Sequence, residues 1–397
     1  MKVNRLMPAY FLSLLVALQS AAQSGGVPAS HLAHLNRGIN IGRFEDGNLD
    51  NPGLSGCAAN ADSSLKCDYS IDSVAGLKVD HVRVLISPAK MFNPGVPTIL
   101  DEHSAALANL DRLVQQILNK KMGLILALSL SEDQFKNRLG SDPQFLEQLK
   151  TFWRELARHY SDSAYSEFVF FEILNEPGLD EPLTIEQWSG AKSPPGGGIL
   201  AGLAHAIRAG APDSTILAPG GEKSDLNGLL ALTPLPDIDN VVYVIHYYEP
   251  FAFTHQGADW VGSNFAAQVT GVPYPYAADS AERAANQVKG LVDKMNAWHD
   301  METATRDRFN TDFEIAAEWA RQNGNVPVIC DEFGVYNKFS SPHDRVAWVK
   351  DVRTLLEKKN IRWTFWDYSS PSFGLVDNNG QADKDVVQAL GLQPASN

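Results

Sequence analysis

Eight short runs of apolar and β-branched residues recur along the chain, and the stretches between them carry apolar positions at three- and four-residue spacing. The runs cover residues 37–43, 81–86, 123–130, 168–176, 214–221, 241–248, 326–333 and 362–369. Runs of this length with little alternation read as strands buried on both faces. The periodic segments 105–121, 143–160, 198–209 and 343–359 read as amphipathic helices. Strands that alternate with helices pair in parallel, and eight such units predict an α/β fold of the (β/α)8 TIM-barrel type. An open doubly wound sheet is the other arrangement of this pattern. It lacks support, because no Gly-x-Gly-x-x-Gly follows the first run to make a dinucleotide site.

Two connections are long, 44–70 after the first strand and 249–325 after the sixth. Loops that follow barrel strands emerge on one face, so both insertions are expected to wall a cleft there. Pro194-Pro195-Gly196-Gly197-Gly198 reads as a loop before the fourth helix. No linker or appended binding module is expected after residue 390, which leaves residues 23–397 as one catalytic barrel domain.

Residues 1–22 stand apart. Lys2 and Arg5 precede an apolar run over 9–18 and the small residues Ser20-Ala21-Ala22, the pattern of a secretory signal peptide too short to serve as a membrane anchor. The expected product is secreted, to the periplasm or the medium, and free of the membrane once the signal is removed. The net charge is −14, and loss of the two basic groups among residues 1–22 takes it to −16. Such an acidic chain repels nucleic acid and anionic lipid. Export makes a disulfide between Cys57 and Cys67 plausible, whereas Cys330, inside a strand, reads as a small buried apolar residue. No Cys/His cluster has metal-site spacing, and no metal or other cofactor is expected.

The chemistry gathers at strand ends. Glu176 closes Phe-Val-Phe-Phe-Glu-Ile-Leu-Asn-Glu-Pro (168–177), and Glu332 sits late in Val-Pro-Val-Ile-Cys-Asp-Glu-Phe-Gly (326–334). An unpaired carboxylate is costly inside a barrel, so two acids at the ends of separate strands suggest a facing pair. Arg83 interrupts the second strand, Asn175 precedes Glu176, His246 and Tyr248 share one side of the sixth, and Trp366 lies in the eighth. Asp331 precedes Glu332, and alternation predicts that it points away from the cleft. Glu176 also reads as a helix-start acid, Glu332 as a structural partner of Arg83, and Trp366 as core.

This ordered set resembles glycoside hydrolase family 5, the retaining cellulases and mannanases. The resemblance runs from Arg37-Gly38-Ile39-Asn40 to the Trp366 strand, and Phe-Thr-His-Gln-Gly (253–257) is similar to bacterial cellulase-like members. It implies Glu176 as general acid/base and Glu332 as nucleophile, with carboxyl groups about 5–5.5 Å apart whose mutual repulsion keeps Glu176 protonated. It further implies that Arg83 and Tyr248 hold Glu332 ionised, Asn175 bonds the sugar 2-hydroxyl, His246 orients Glu176 or a sugar hydroxyl, and Trp366 floors the reacting subsite. One departure stands out. Where the family carries a His after the third strand, this chain has Ser129.

The implied function is a secreted, monomeric endo-β-1,4-glucanase acting on β-linked polysaccharide or oligosaccharide. Mannan, xyloglucan, xylan and β-1,3-glucan are the rival substrates. A non-catalytic carbohydrate-binding protein and a metal-dependent barrel hydrolase are the rival classes. Phe251, Phe253 and Trp260 read equally as outer sugar platforms or as packing of the insertion, and His255 and Glu222 as further rim contacts.

Overall fold

The computed structural model describes residues 26–393, apart from 46–47, 50–55, 59–65, 69–70, 95–98, 136, 179–182, 191–196 and 378–379. The leader at 1–22 and most of the Pro-Pro-Gly-Gly-Gly loop lie outside the described residues. So do the side chains of Cys57 and Cys67, although their backbones sit opposite each other in a two-stranded antiparallel ribbon.

Eight parallel strands form the barrel: β1 (Arg37–Glu45), β2 (His81–Ile86), β3 (Gly123–Leu128), β4 (Val169–Glu172), β5 (Ile216–Pro219), β6 (Val241–Tyr247), β7 (Val328–Phe333) and β8 (Arg362–Phe365). Closure is direct, with Gly38 opposite Thr364 on β8 and opposite His81 on β2. The helices that follow are α1 (Ile71–Gly76), α2 (Ala105–Asn119), α3 (Pro143–His159), α4 (Ile199–Gly210), α5 (Leu226–Leu230), α6 (Arg306–Gln322), α7 (Pro342–Lys358) and α8 (Lys384–Ala389). Sequence places their starts. Ser104, Asp142, Thr305 and Ser341 each accept a hydrogen bond from the first turn, and Pro143 and Pro342 occupy early positions where no N–H is needed. In α2 the buried residues Leu107, Leu110, Val114 and Ile117 follow the helical period. They join the large core between the strands and the helical ring.

The barrel interior has a second, smaller core of Val27, Leu35, Ile125, Phe170, Leu217, Val242, Val244 and Ile329. A short helix, Ala29–Ala33, precedes β1, and its His31 contacts Thr215 at 2.8 Å. Beside this layer, where the barrel closes, the His81 ring reaches across to Thr364 at 2.7 Å. The ring lies so close to β1 that a Cβ on Gly38 would come 2.1 Å from His81 Nε2, so no side chain fits there. One level higher the interior turns from apolar to charged, and the site begins.

The insertion after β6 rises from that end and carries Phe251–Thr254, Ala278–Ala285 and Leu291–Glu302 before α6. Among the described residues no helix is long and apolar enough to cross a membrane.

Candidate active site

Arg83 is the hub. It is fully buried, and its guanidinium donates to Glu172 from Nε at 2.6 Å and from Nη2 at 2.7 Å. Nη1 donates to Glu332 at 2.7 Å and to Asn40 at 2.9 Å, and Nη2 reaches Asn175 at 2.8 Å. Burial opposes its charge, but Glu172, Asp331 and Glu332 outweigh that and hold it firmly protonated. One side chain of β2 thereby ties together groups from β1, β4 and β7. Asn40 adds a second tie, donating to the Asp331 and Phe365 carbonyls at 2.9 and 3.3 Å across the closure of the barrel.

β4 ends at Glu172, earlier than the apolar run suggests, so Asn175 and Glu176 lie beyond it. The extension is still anchored. Ile173 N–H donates to Leu217 O at 3.1 Å, Asn175 N–H to Leu128 O at 2.7 Å, and the Trp153 indole to Ile173 O at 3.1 Å. Glu176 itself adopts a φ of 42°, a left-handed conformation that costs a non-glycine residue energy and is held only where its surroundings dictate it. The carboxyl group that results faces the one from β7. Oxygens of Glu176 and Glu332 and a ring nitrogen of His246 all lie within 4.8 Å of one another.

Glu332 is also held from β6. Tyr248 donates to its Oε2 at 2.9 Å, and burial, followed by the charge of Glu332 itself, keeps the phenol protonated as a donor. His246 places Nδ1 3.2 Å from Glu176 and 3.6 Å from Glu332, with Nε2 3.1 Å from Asp331. Burial disfavours the imidazolium, yet Glu332, Asp331 and Glu176 together raise its proton affinity well above the ordinary histidine value.

Asp331 corrects the sequence expectation. The β6–β7 register slips between Cys330 and Glu332, so Asp331 is the extra residue of a bulge and two consecutive acids turn inward. It is fully buried and 3.4 Å from Arg83 Nε. Glu172 was equally hidden. It stands within the quoted run of β4, and the argument from an acid in an apolar strand that marks Glu176 applies to it as well.

The other candidates divide. Trp366, just past β8, and Tyr248 both pack on the cluster of Ala258, Tyr336 and Phe373. Trp260 is half exposed, its ring 4.7 Å from Tyr336, whereas Phe253 is fully buried and Phe251 stacks on His255 at 4.0 Å. His255 is itself largely buried edge-on against Tyr248, and burial drives its proton affinity down to about 3. Glu222 is exposed on the loop after β5, its backbone close to Gly178. Ser129 lies two residues past the inward-facing Ala127 position of β3, and its hydroxyl and that of Ser131 accept from Arg43 of β1. An arginine from a different strand thus reaches the place where an imidazole was expected.

Among the described residues two donor sets are compact enough for an ion, Glu172–His246–Asp331 and Glu176–His246–Glu332. The first already encloses the Arg83 guanidinium, which supplies the positive charge that three buried acidic or basic side chains would otherwise need.

Comparison with known proteins places the chain in a family and among known folds. The cellulase family, glycosyl hydrolase family 5, matches residues 47–372. The chain is 28% identical over 377 residues to Endoglucanase 3 of Fibrobacter succinogenes, covering 91% of this chain and 53% of that protein, so it spans about half that relative's length. It is 27% identical over 323 residues to Endoglucanase C of Acetivibrio thermocellus, covering 79% of this chain and 86% of the relative. In fold it is similar to the crystal structure of endoglucanase Cel5A from Thermotoga maritima, with a TM-score of 0.70 at 24% identity over 92% of this chain and 99% of the other.

Proposed function

This chain belongs to glycosyl hydrolase family 5, and from that premise we propose that it is an exported, retaining endo-hydrolase of β-1,4-glucan. The observation that carries the mechanism is the separation of the two acids. One oxygen of each lies within 4.8 Å of the other, an approach that suits the roughly 5–5.5 Å carboxyl spacing of double displacement better than the roughly 6.5–9.5 Å that leaves room for a water.

In the first step the Glu176 carboxyl gives its proton to the glycosidic oxygen as the bond from that oxygen to the sugar carbon breaks. A Glu332 oxygen forms the new bond to that carbon, which leaves Glu176 ionised. In the second step a water loses its proton to Glu176, its oxygen bonds to the sugar carbon, and Glu332 leaves as carboxylate. Arg83 and Tyr248 stabilise the charge on Glu332 before attack and after release. Asn175, fixed through its oxygen by Arg83, has its amide N–H groups free to meet the sugar 2-hydroxyl. Trp366 supplies an apolar floor beside the Tyr248 cluster.

The glucan assignment draws on the endoglucanase relatives. Mannan is the second reading, since the Thermotoga maritima enzyme has been crystallised with cellobiose and with mannotriose. Export rests on the basic, apolar and small-residue pattern of residues 1–22.

The test is a hydrolysis panel on soluble cellulose, lichenan, mannan, xylan and xyloglucan, run with and without excess chelator and followed by NMR of the first anomer released. Cellulose and lichenan should give reducing ends of retained β configuration at undiminished rate in chelator. An inverted first product, or binding without reducing ends, would overturn the reading.

A further inference from the structure

We propose that Asp331 is a positioning residue for hydrolysis: it keeps the His246 ring protonated and aimed at Glu176, so that the carboxylate left after proton donation meets a fixed cation. This rests on the reading of Glu176 as the proton donor.

The argument begins with hydrogen-bond capacity. A neutral imidazole has one N–H and one lone pair, and an imidazolium has two N–H groups. Both ring nitrogens of His246 face carboxylate oxygens, Nε2 toward Asp331 at 3.1 Å and Nδ1 toward Glu176 at 3.2 Å. A neutral ring protonated at Nδ1 turns a lone pair toward Asp331, and one protonated at Nε2 turns a lone pair toward Glu176, against a carboxylate once Glu176 has given up its proton. The imidazolium offers an N–H to each side, and its contact with Asp331 is an ion pair at 3.1 Å, short of an aligned hydrogen bond, since Nε2 and both Asp331 oxygens have no hydrogen-bond partner among the described residues.

Every element around the ring agrees. From β7 come Asp331 and Glu332, from beyond β4 Glu176 and from β4 Glu172, from β2 Arg83, and from just past β6 Tyr248. Arg83 and His246 are the two cations of this group, and Asp331 and Glu332 offset them. The backbone fixes the ring's base, with His246 N–H donating to Ser224 O at 2.7 Å. Asp331 is fixed by the bulge that turns it inward and by Arg83 at 3.4 Å. Burial resists ionisation of Asp331, but Arg83 and His246 prevail and hold its proton affinity below the ordinary aspartate value.

Asp331 exchanges no atom with substrate. Its effect reaches Glu176 only through the ring, by fixing the direction and charge of Nδ1–H.

The experiment follows histidine ring nitrogens by 15N NMR in the wild type and in Asp331→Asn, which keeps the side-chain shape. In the wild type the His246 ring should carry both protons at neutral pH. In Asp331→Asn its titration should fall by about one to three pH units, the scale on which a nearby opposite charge acts. The upper limb of the kcat/KM profile on a β-glucan should move to lower pH by a similar amount, while the thermal melt and covalent labelling of Glu332 persist. A neutral His246 in the wild type overturns the proposal whatever the variant does. So does a variant whose His246 titration and pH profile match the wild type. Loss of Glu332 labelling in the wild type would instead overturn the hydrolase reading and leave the His246 titration as an independent answer.

Discussion

Arg83 grips Glu172 through two parallel hydrogen bonds, 2.6 and 2.7 Å long, and neither side chain is exposed. Burial, reinforced by Asp331, raises the Glu172 proton affinity to about 8 even against the arginine.

A pair of variants separates shape from charge there. Glu172→Gln is neutral and keeps one oxygen to accept from Arg83 but sets an amide NH2 against the other guanidinium N–H, so it should cost less than removal of the side chain. Glu172→Ala strands a buried arginine and should cost about 3–5 kcal/mol. Because the folded value lies above the unfolded 4.5, the wild type's contribution is complete below pH 4.5 and is lost as pH rises through about 8. Relative to Glu172→Gln, the wild type should therefore lose up to about 1.4 kcal/mol per pH unit across that window. Urea unfolding at pH 5 and pH 8 measures this. Equal damage by both variants at pH 5 would contradict it.

Asn175 predicts a transition-state defect. Asn175→Ala removes the proposed 2-hydroxyl contact and should lower kcat and kcat/KM together, by several kcal/mol in barrier, on the order of the strengthening that such contacts supply. On a 2-deoxy substrate the same variant should cost little. Comparable losses on both substrates would place the effect in packing around Arg83 instead.

Gly38 predicts a stability defect remote from the chemistry. A methyl group there meets the buried His81 ring at 2.1 Å, and the ring is held at its other side by Thr364. Gly38→Ala should cost about 1–3 kcal/mol or more as an overpacking change. Unchanged melting would show that the ring moves freely.

Much of this was legible in the sequence because burial forces it. Strands covered on both faces must be apolar throughout, so Arg83, His246, Glu176 and Glu332 stood out against their runs, and the structure brings all four together. Alternation failed at Asp331, since a bulge adds a residue without leaving a trace in the pattern. Glu172 differs: an acid in mid-run meets the same energetic objection as one at the strand's end, and its partner Arg83 lies 89 positions away in sequence. The partition of Phe253 into core and Trp260 to the surface depends on how the long insertion folds back, which local periodicity does not encode.

The central claim is that Glu332 attacks the sugar while Glu176 supplies and recovers the proton. Incubation with a 2-deoxy-2-fluoro cellobiosyl probe, followed by intact mass and peptide mapping, tests it most directly. The account predicts one fluoroglycosyl group per chain, attached to Glu332 and absent in Glu332→Gln. Turnover of β-glucan with no adduct, or an adduct mapped to another residue, would contradict it.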